Sequence, residues 1–226
     1  MRHVLVIALC AIFPCVALSA PADSSSTVGS RPNSLRAGVW AIQFTVVGAF
    51  SGGGAFVKRQ SSPGHAFRLG AEFSLESRSG DTTEDTTSVV VEKESIDNDQ
   101  FSVNVELLSQ HYLNPQAPAQ VYLCLGPFLT YSEYRNERHT VLGESRTDNN
   151  HSETWRAGGK FIVGGEWFAS RSLSLAVEYG VRAGYVSTEE DYVTQYETGP
   201  VLHSKRDQSG WFTDGGDSRF ALGIYF

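Results

Sequence analysis

The sequence predicts an all-β protein with antiparallel strands, and three observations support this prediction. Apolar and polar residues alternate with period two over long stretches, which places them on opposite faces of extended strands. The 226 residues include 22 Gly, 9 Tyr and 13 Phe, which favour turns and strands. Clusters of turn-forming residues separate the alternating stretches. The net charge of −7 also argues against a nucleic-acid-binding protein, whose surface is normally basic.

The beginning of the chain has the pattern of a secretory signal peptide, expected to cover residues 1–22. A basic start and an apolar stretch to Leu18 precede small residues and a cleavage site expected after Ala22. Residues 23–34 are rich in serine, and we expect them to form a flexible periplasmic lead-in. Residues 35–226 are therefore expected to form one β domain.

The clearest predicted strand covers residues 172–186. Leu175 and Val177 lie on its apolar face, and Glu178 and Arg182 lie on the opposite face. This strand is longer than the ~5–6 residues usual in soluble proteins and long enough for the ~9–11 residues that cross a bilayer. Seven further strands, which bring the total to eight, are predicted near residues 40–46, 55–60, 66–77, 101–112, 121–131, 155–168 and 220–226.

The polar faces of these strands carry small residues and nearly balanced charges. In a soluble barrel the apolar face forms the core, whereas in a membrane barrel it meets lipid and the polar face lines the lumen. Balanced charges suit a narrow lumen, because each enclosed charge needs a partner. Eight strands leave room only for side chains, so a network that closes the lumen is favoured over a gated pore. The residues expected in this network are Arg68, Glu72, Glu106, Arg156, Lys160, Glu166, Glu178 and Arg182.

The connections between predicted strands alternate in length. Short turns are predicted at residues 61–64, 114–118 and 169–171. Long polar loops are predicted at residues 78–100, 135–153 and 187–217. Only the first outward loop, near residues 51–54, is short, and Gly52, Gly53 and Gly54 are interpreted as its turn. Short turns at one end and long loops at the other are typical of barrels with periplasmic turns and extracellular loops.

The end of the sequence alternates as well, with Phe220, Leu222, Ile224 and the terminal Phe226 on one face. Together with the signal peptide and the eight amphipathic strands, this segment resembles the small outer-membrane β-barrels of the OmpA-transmembrane, OmpX and opacity type. The resemblance implies an eight-stranded antiparallel up-and-down transmembrane β-barrel in a Gram-negative-type outer membrane, surrounded by outer-membrane lipid. It also implies that these four residues form the signal read by the barrel-assembly machinery.

Aromatic residues fit the expected membrane. Trp155 and Trp167 lie twelve residues apart on one strand face. At ~3.3 Å per residue and a tilt near 40°, this separation gives roughly 30 Å of height, close to the ~25 Å apolar band between aromatic girdles. Trp40 is expected at the periplasmic end.

Candidate chemical sites in the sequence are weak. Ser109 and His111 share a predicted strand face, which keeps a lipid-modifying enzyme as an alternative. The acidic stretch of residues 81–99 is interpreted as a solvated loop rather than a Ca²⁺ site, and no cofactor or metal is expected. Residues 89–91, three valines, are expected to extend strand pairing and to offer an edge to a partner strand.

The sequence therefore predicts a non-catalytic protein with a structural and surface-interaction role. Its partner, in the host or the envelope, would bind the long loops, and no nucleic acid is expected. The alternatives are the lipid-modifying enzyme, a narrow channel, and a soluble secreted barrel that carries a ligand. Only the last of these would be recovered in aqueous extract without detergent.

Overall fold

The computed structural model describes residues 35–47, 52–85, 91–117, 119–142 and 144–226. The predicted signal peptide and lead-in lie outside these ranges. Within them, no helix is long and apolar enough to cross a membrane. The described residues form the strands β1 (Trp40–Val47), β2 (Gly52–Ser62), β3 (His65–Asp85), β4 (Val91–Tyr112), β5 (Ala119–Leu142), β6 (Glu144–Phe168), β7 (Leu173–Tyr196) and β8 (Leu202–Tyr225).

Each strand pairs antiparallel with the next along the chain, and β1 also pairs with β8, so the sheet closes into a ring. The all-β, antiparallel, up-and-down prediction is therefore confirmed. Short connections join β2 to β3, β4 to β5 and β6 to β7 at one end of the ring, which we call the turn rim. The turn rim agrees with the short turns expected at residues 61–64, 114–118 and 169–171.

The pairing register shows that the strands are tilted. Following paired residues from Val46 through β2, β3, β4 and β5 leads to Trp155 on β6. The opposite route from Val46, through β8 and β7, leads to Gly165 on the same strand. The two routes end ten residues apart on β6. A closed sheet with such an offset has strands inclined by about 35–45° to the barrel axis.

Strand length divides the ring into two levels. β1 and β2 have 8 and 11 residues, whereas β3 to β8 have 21 to 25. The six long strands continue beyond the paired line Ser74–Ser102–Ser132–Thr154–Thr188–Gln208. We call the parts beyond this line the hairpin extensions; they are residues 75–85, 91–101, 133–142, 144–153, 189–196 and 202–207.

The hairpin extensions correct the prediction of long loops at residues 78–100, 135–153 and 187–217. Most of these residues are in paired strands, and residues 197–201 form the one described connection at this end. The prediction failed because strand periodicity is visible only where one face is apolar. Both faces of the extensions are largely polar, so their alternation leaves no signal in the sequence. Gly52, Gly53 and Gly54 also lie in β2 rather than in a turn.

The two faces of the ring have opposite chemistry. On β3, the Phe67 and Leu69 side chains are 51% and 54% exposed, whereas Arg68 between them is fully buried. On β7, Leu175 is half exposed and Glu178 is buried. The apolar faces therefore point away from the ring, and the charged faces point into its lumen.

A bulge on β8 changes which of its residues face the lumen. Gly180 pairs with Asp217 and Val181 pairs with Gly215, so Gly216 is an extra residue on β8. Gly216 has a φ of 105°, a conformation that side chains strongly disfavour. Because of this extra residue, Asp214 pairs with Arg182, and the alternation of residues 202–215 is out of phase with that of residues 217–225.

Candidate functional site

The lower part of the lumen, near the turn rim, is organised around the buried carboxylate of Glu166. Lys58 forms an ion pair with it at 3.1 Å. The hydroxyls of Tyr112, Ser174 and Tyr225 donate hydrogen bonds to the same carboxylate at 2.5, 2.6 and 2.7 Å. Since these residues come from β2, β4, β6, β7 and β8, this cluster ties together strands from several sides of the ring.

A second cluster lies above the first and begins at Glu178. The Arg68 guanidinium donates two hydrogen bonds to this carboxylate, one of them at 3.1 Å. The Arg219 Nε lies 2.9 Å from Glu178 Oε2, and the Tyr122 hydroxyl donates at 2.5 Å. Two guanidinium groups, which stay charged at any ordinary pH, therefore share one buried carboxylate.

Glu106 extends this cluster across the lumen. Its carboxylate accepts hydrogen bonds from Lys160 at 2.8 Å and from Arg219 at 2.9 Å, and Arg68 lies 3.5 Å away. Arg219 also pairs with Glu72 at 2.5 Å. We call the two clusters together the charge network; its charged members are Lys58, Arg68, Lys160, Arg219, Glu72, Glu106, Glu166 and Glu178.

The charge network has four cations and four carboxylates, and all but Glu72 are almost completely buried. Every charged member has an opposite charge within 3.1 Å. Buried charges that lack such partners are strongly unfavourable, so the pairing is what permits them in the lumen. Apolar side chains, including Phe56 and Leu108, fill the remaining space at this level.

The structure places six of the eight predicted residues in the charge network, with Glu166 in the lower cluster and the other five in the upper one, and it places two elsewhere in the lumen. Arg156 lies over the Phe212 ring at 5.8 Å, and Arg182 pairs with Asp214 at 2.8 Å, both farther from the turn rim. Lys58 and Arg219 were missed. Both positions follow from parity, because each residue alternates with an outward apolar neighbour, Val57 or Phe220. Lys58 lies inside the predicted strand at residues 55–60, whereas Arg219 lies one residue before the predicted strand at residues 220–226.

Above the charge network the lumen holds two cavities of about 160 and 380 Å³. Ser74, Ser102, Thr130 and Arg182 line both, so the cavities adjoin, and we call the combined space the cup. Most of its lining is hydroxyl and amide groups. The charged residues that line it are Lys160, Arg156, Arg182, Arg219, Glu72 and Glu133.

The tryptophans lie on the outer surface at two levels. Trp40 begins β1 and Trp167 is the next-to-last residue of β6, so both lie at the turn rim. Trp155 contacts Tyr131, and Trp211 contacts Tyr185, with ring centroids 4.8 and 5.9 Å apart. Trp155 pairs with Ser187, two residues from Tyr185, so these two aromatic pairs lie at a similar level. All four indoles are exposed.

The hydroxyl of Ser109 is hydrogen-bonded to His65, not to His111. His65 Nε2 lies 2.8 Å from Ser109 Oγ, and His65 Nδ1 lies 2.8 Å from Ser61 Oγ. His111 pairs with His65 across the two strands, and its side chain is exposed. The outer surface at the turn rim therefore contains a linear Ser–His–Ser chain, two members of which the sequence pattern did not indicate.

The hairpin extensions carry exposed ion pairs. Arg146 donates to Asp148 at 3.0 Å, and this hydrogen bond raises the pKa of the guanidinium. Lys205 pairs with Glu189, whose hydrogen bond raises the pKa of the ammonium. The side chains of residues 81–94, most of the acidic stretch, are outside the described part of the chain. Residues 89 and 90, two of the three valines expected to extend strand pairing, are outside it altogether. Val91 begins β4.

The residues of the predicted assembly signal lie on the outer face of β8 and at its end. Phe220, Leu222, Ile224 and Phe226 are exposed, whereas Tyr225 faces the lumen and joins the charge network. Phe226 exchanges backbone hydrogen bonds with Trp40 at 3.1 and 3.0 Å. This pairing holds the end of β8 against the start of β1, where the ring closes.

The chain matches no family model and no curated protein. Among the solved structures that are similar to the chain, three cover most of its length. CarO of Acinetobacter baumannii is 14% identical, with a TM-score of 0.41, over 86% of this chain and 100% of its own. CarO2 of Acinetobacter baumannii is 12% identical, with a TM-score of 0.44, over 83% and 98%. A major outer membrane protein from Thermus thermophilus is 15% identical, with a TM-score of 0.36, over 83% and 98%.

Proposed function

We propose that this chain is an eight-stranded transmembrane β-barrel of a Gram-negative-type outer membrane, with a structural and surface-interaction role. The observation that carries the proposal is the inverted arrangement of the ring, with apolar side chains exposed and ion pairs buried. In water the exposed apolar faces would be unfavourable, whereas in a bilayer they meet hydrocarbon.

The dimensions of the outer surface support a membrane location. The two tryptophan levels are twelve residues of strand apart, which is roughly 30 Å along the axis for a tilted strand. A barrel in the outer membrane has an apolar band of about 25 Å between two aromatic girdles. Trp40 and Trp167 would then lie at one interface, and Trp155 and Trp211 at the other.

The hairpin extensions would project from the outer girdle into the medium outside the cell. Their exposed ion pairs and polar residues suit water, and short turns normally face the periplasm. In this orientation a host or envelope partner would meet residues 78–100, 135–153 and 187–217 as β-hairpins rather than as flexible loops. A rigid hairpin loses less conformational entropy on binding than a loop does.

Membrane insertion is tested with the protein folded into lipid vesicles. We expect altered electrophoretic mobility in SDS without boiling and strong quenching of tryptophan fluorescence by lipids brominated near the interface. Aqueous quenchers such as iodide should act weakly. Recovery of the folded protein in aqueous extract, with tryptophans open to iodide, would instead support the soluble carrier.

The lumen is proposed to be closed rather than conducting. Cys124 faces the lumen among the charge network and is buried, and it is the only cysteine in residues 23–226. A small thiol reagent should leave folded protein unmodified and react after denaturation. Cys124→Ala with Ser209→Cys, an exposed position on β8, is the positive control. Rapid modification of Cys124, with single-channel conductance in planar bilayers, would favour a pore.

A second candidate function, hydrolysis of lipid esters, is favoured by the Ser61–His65–Ser109 chain. A histidine within 2.8 Å of a serine hydroxyl is the arrangement that activates a serine nucleophile. A fluorophosphonate probe tests it. Labelling that disappears in Ser109→Ala and His65→Ala but persists in Ser172→Ala would support a hydrolase. Absence of labelling in wild-type protein folded in bilayers would reject it.

The residues Phe220, Leu222, Ile224 and Phe226 are proposed to be read by the barrel-assembly machinery during biogenesis. The experiment compares outer-membrane levels of Phe226→Ala and Trp40→Ala in cells. Both substitutions remove an exposed aromatic side chain from the turn rim. A specific assembly role predicts a larger loss for Phe226→Ala, whereas equal losses would indicate a general effect of aromatic residues at the interface.

A further inference from the structure

The cup has more positive than negative groups in its lining. Its lining includes four cationic side chains but only two carboxylates. Its hydroxyl groups, among them those of Ser74, Ser102 and Ser152, can donate hydrogen bonds to an anion. Both features favour a ligand that carries negative charge and several acceptor oxygens.

Two arginines of the cup are fixed by the same pair of aromatic rings. Arg156 stacks over Phe212 at 5.8 Å, and Arg182 stacks over Phe128 at 5.7 Å. The two rings contact each other edge to face, with centroids 6.2 Å apart. Stacking of this kind restricts a guanidinium without using its hydrogen-bond donors. The site is therefore built before any ligand arrives.

Arg156 has donors available for a ligand. Its side chain is half-buried, and stacking on Phe212 is the only polar or ring interaction that this side chain makes with the described part of the chain. Arg182 differs, because it is paired with Asp214. A planar guanidinium donates two parallel hydrogen bonds to a phosphate, a geometry that fits Arg156 better than the compact ammonium of a lysine.

Among the described residues, the wall of the ring is interrupted beside the cup. Pairing of β3 with β2 ends at Ser74, and pairing of β8 with β1 ends at Arg219. Within the described ranges, the residues of β3 after Ser74 pair only with β4, and the residues of β8 before Arg219 pair only with β7. Both ends of this gap line the smaller cavity, since Ser74 and Arg219 belong to its lining together with Phe73 and Ser218. The cup therefore extends to the gap.

The gap begins below the outer tryptophan level. The line of paired residues from Gly53 on β2 to Trp155 on β6 takes four steps from strand to strand, which is half of the way around the ring. It therefore rises by about half of the ten-residue offset. Gly53 therefore lies roughly 12 Å below Trp155, at ~3.3 Å per residue and a tilt near 40°. The exposed apolar residues Phe73, Leu75 and Phe220 flank the gap on its outer side.

We propose that the cup binds the phosphate group of an outer-leaflet amphiphile, which enters through the gap between β3 and β8 while its acyl chains remain in the bilayer. This inference rests on the proposed membrane location. Arg156 holds the phosphate, and Arg182 and the cup hydroxyls complete its shell. A free phosphate entering from the open end of the cup would use the same groups.

Two binding measurements distinguish the sources. In the first, inorganic phosphate is titrated into protein in zwitterionic detergent, and binding is followed by calorimetry. In the second, nanodiscs of phosphatidylcholine contain a minor share of phosphatidylglycerol, and lipid that remains on the protein after gentle extraction is counted by native mass spectrometry. Each measurement uses wild type, Arg156→Gln and the matched control Arg146→Gln, which removes an exposed arginine from the same strand.

We expect retention of phosphatidylglycerol over phosphatidylcholine in wild type and in Arg146→Gln. Arg156→Gln should weaken this binding by about tenfold or more, the usual effect of removing a charged hydrogen-bond donor. Binding of inorganic phosphate alone, without lipid retention, would overturn entry through the gap. Equal retention in Arg156→Gln, or no binding of either probe, would overturn the site itself.

The same nanodisc samples separate this inference from the proposed function. SDS mobility and tryptophan quenching report whether the barrel has inserted. Failure to insert contradicts the membrane location and this inference together. An inserted barrel without phosphate selectivity contradicts this inference alone.

Discussion

The barrel below the cup and the hairpin extensions above it use the same kind of ion pair in opposite environments. In the barrel, Arg68 and Glu178 are completely enclosed and share partners with other charged groups. In the extensions, Arg78 and Glu76 form a pair that is largely open to solvent. The enclosed pair depends on its partner to remain buried, whereas each member of the exposed pair is solvated without the other.

This difference indicates what each region contributes. Charges that cannot be separated without a large cost specify which strands meet and keep the lumen filled. Charges on the extensions keep the hairpins soluble and leave their surface free to vary. Under the proposed surface-interaction role, a partner would therefore bind the extensions, whose charges do not fill the lumen.

The largest effect is expected for Glu178→Gln. The substitution leaves Arg68 and Arg219 with one buried carboxylate fewer, and loss of one member of a buried pair costs about 3–5 kcal/mol. Urea unfolding in lipid vesicles, followed by tryptophan fluorescence, measures the free energy of unfolding. A loss below about 1 kcal/mol would mean that water already solvates these charges, and would contradict a closed lumen.

A charge on the outer face tests where the apolar band ends. Leu125→Arg places a cation on an exposed apolar position midway along the band, where we expect a loss of about 2–4 kcal/mol in vesicles. Val141→Arg introduces the same charge at an exposed valine of the hairpin extensions and should be nearly neutral. If the two variants are equally stable in vesicles, Leu125 does not face lipid.

The bulge on β8 lies between Arg219 of the charge network and the hairpin extension of the same strand, residues 202–207, and Gly216→Ala probes it. An alanine at a φ of 105° should cost about 1 kcal/mol, although no atom lies within 4 Å of the added methyl position. Gly210→Ala is the matched control, because it has the same open space without the unusual φ. Similar unfolding free energies for both variants would show that the bulge tolerates a side chain.

The smallest effect is expected for Glu76→Gln in the hairpin extensions. Its pair with Arg78 is exposed, and such pairs contribute less than about 0.5 kcal/mol. Raising the salt concentration should abolish even this contribution, since exposed charges are screened. A loss as large as that of Glu178→Gln would remove the contrast between the two regions.

The fold was predictable in the barrel and not in the extensions, for one reason. On β3 and β7 one face is apolar and exposed and the other is polar and enclosed, so the sequence alternates and the strands are visible. In residues 144–153 both faces are polar, and the same sheet continues without a periodic signal. The bulge at Gly216 hid the β8 hairpin further, because it shifts the alternation by one residue.

The candidate sites divide in the same way. Glu106, Glu166 and Glu178 could be assigned to the lumen from parity alone. Their partners could not, because Arg219 reaches Glu72 across 147 positions of sequence and only ring closure brings them together. The pairing of Ser109 with His65 rather than His111 likewise depends on the register between β3 and β4.

The sequence by itself determined that the strands are amphipathic and that the polar faces carry balanced charge, since side-chain direction in an extended chain depends only on position. The tertiary structure decided that the apolar faces point outward, which charges pair, and that the described pairing of β1 and β2 with their neighbours ends beside the cup. These properties depend on the closure and tilt of the ring, and such long-range geometry is not encoded in any local stretch of residues.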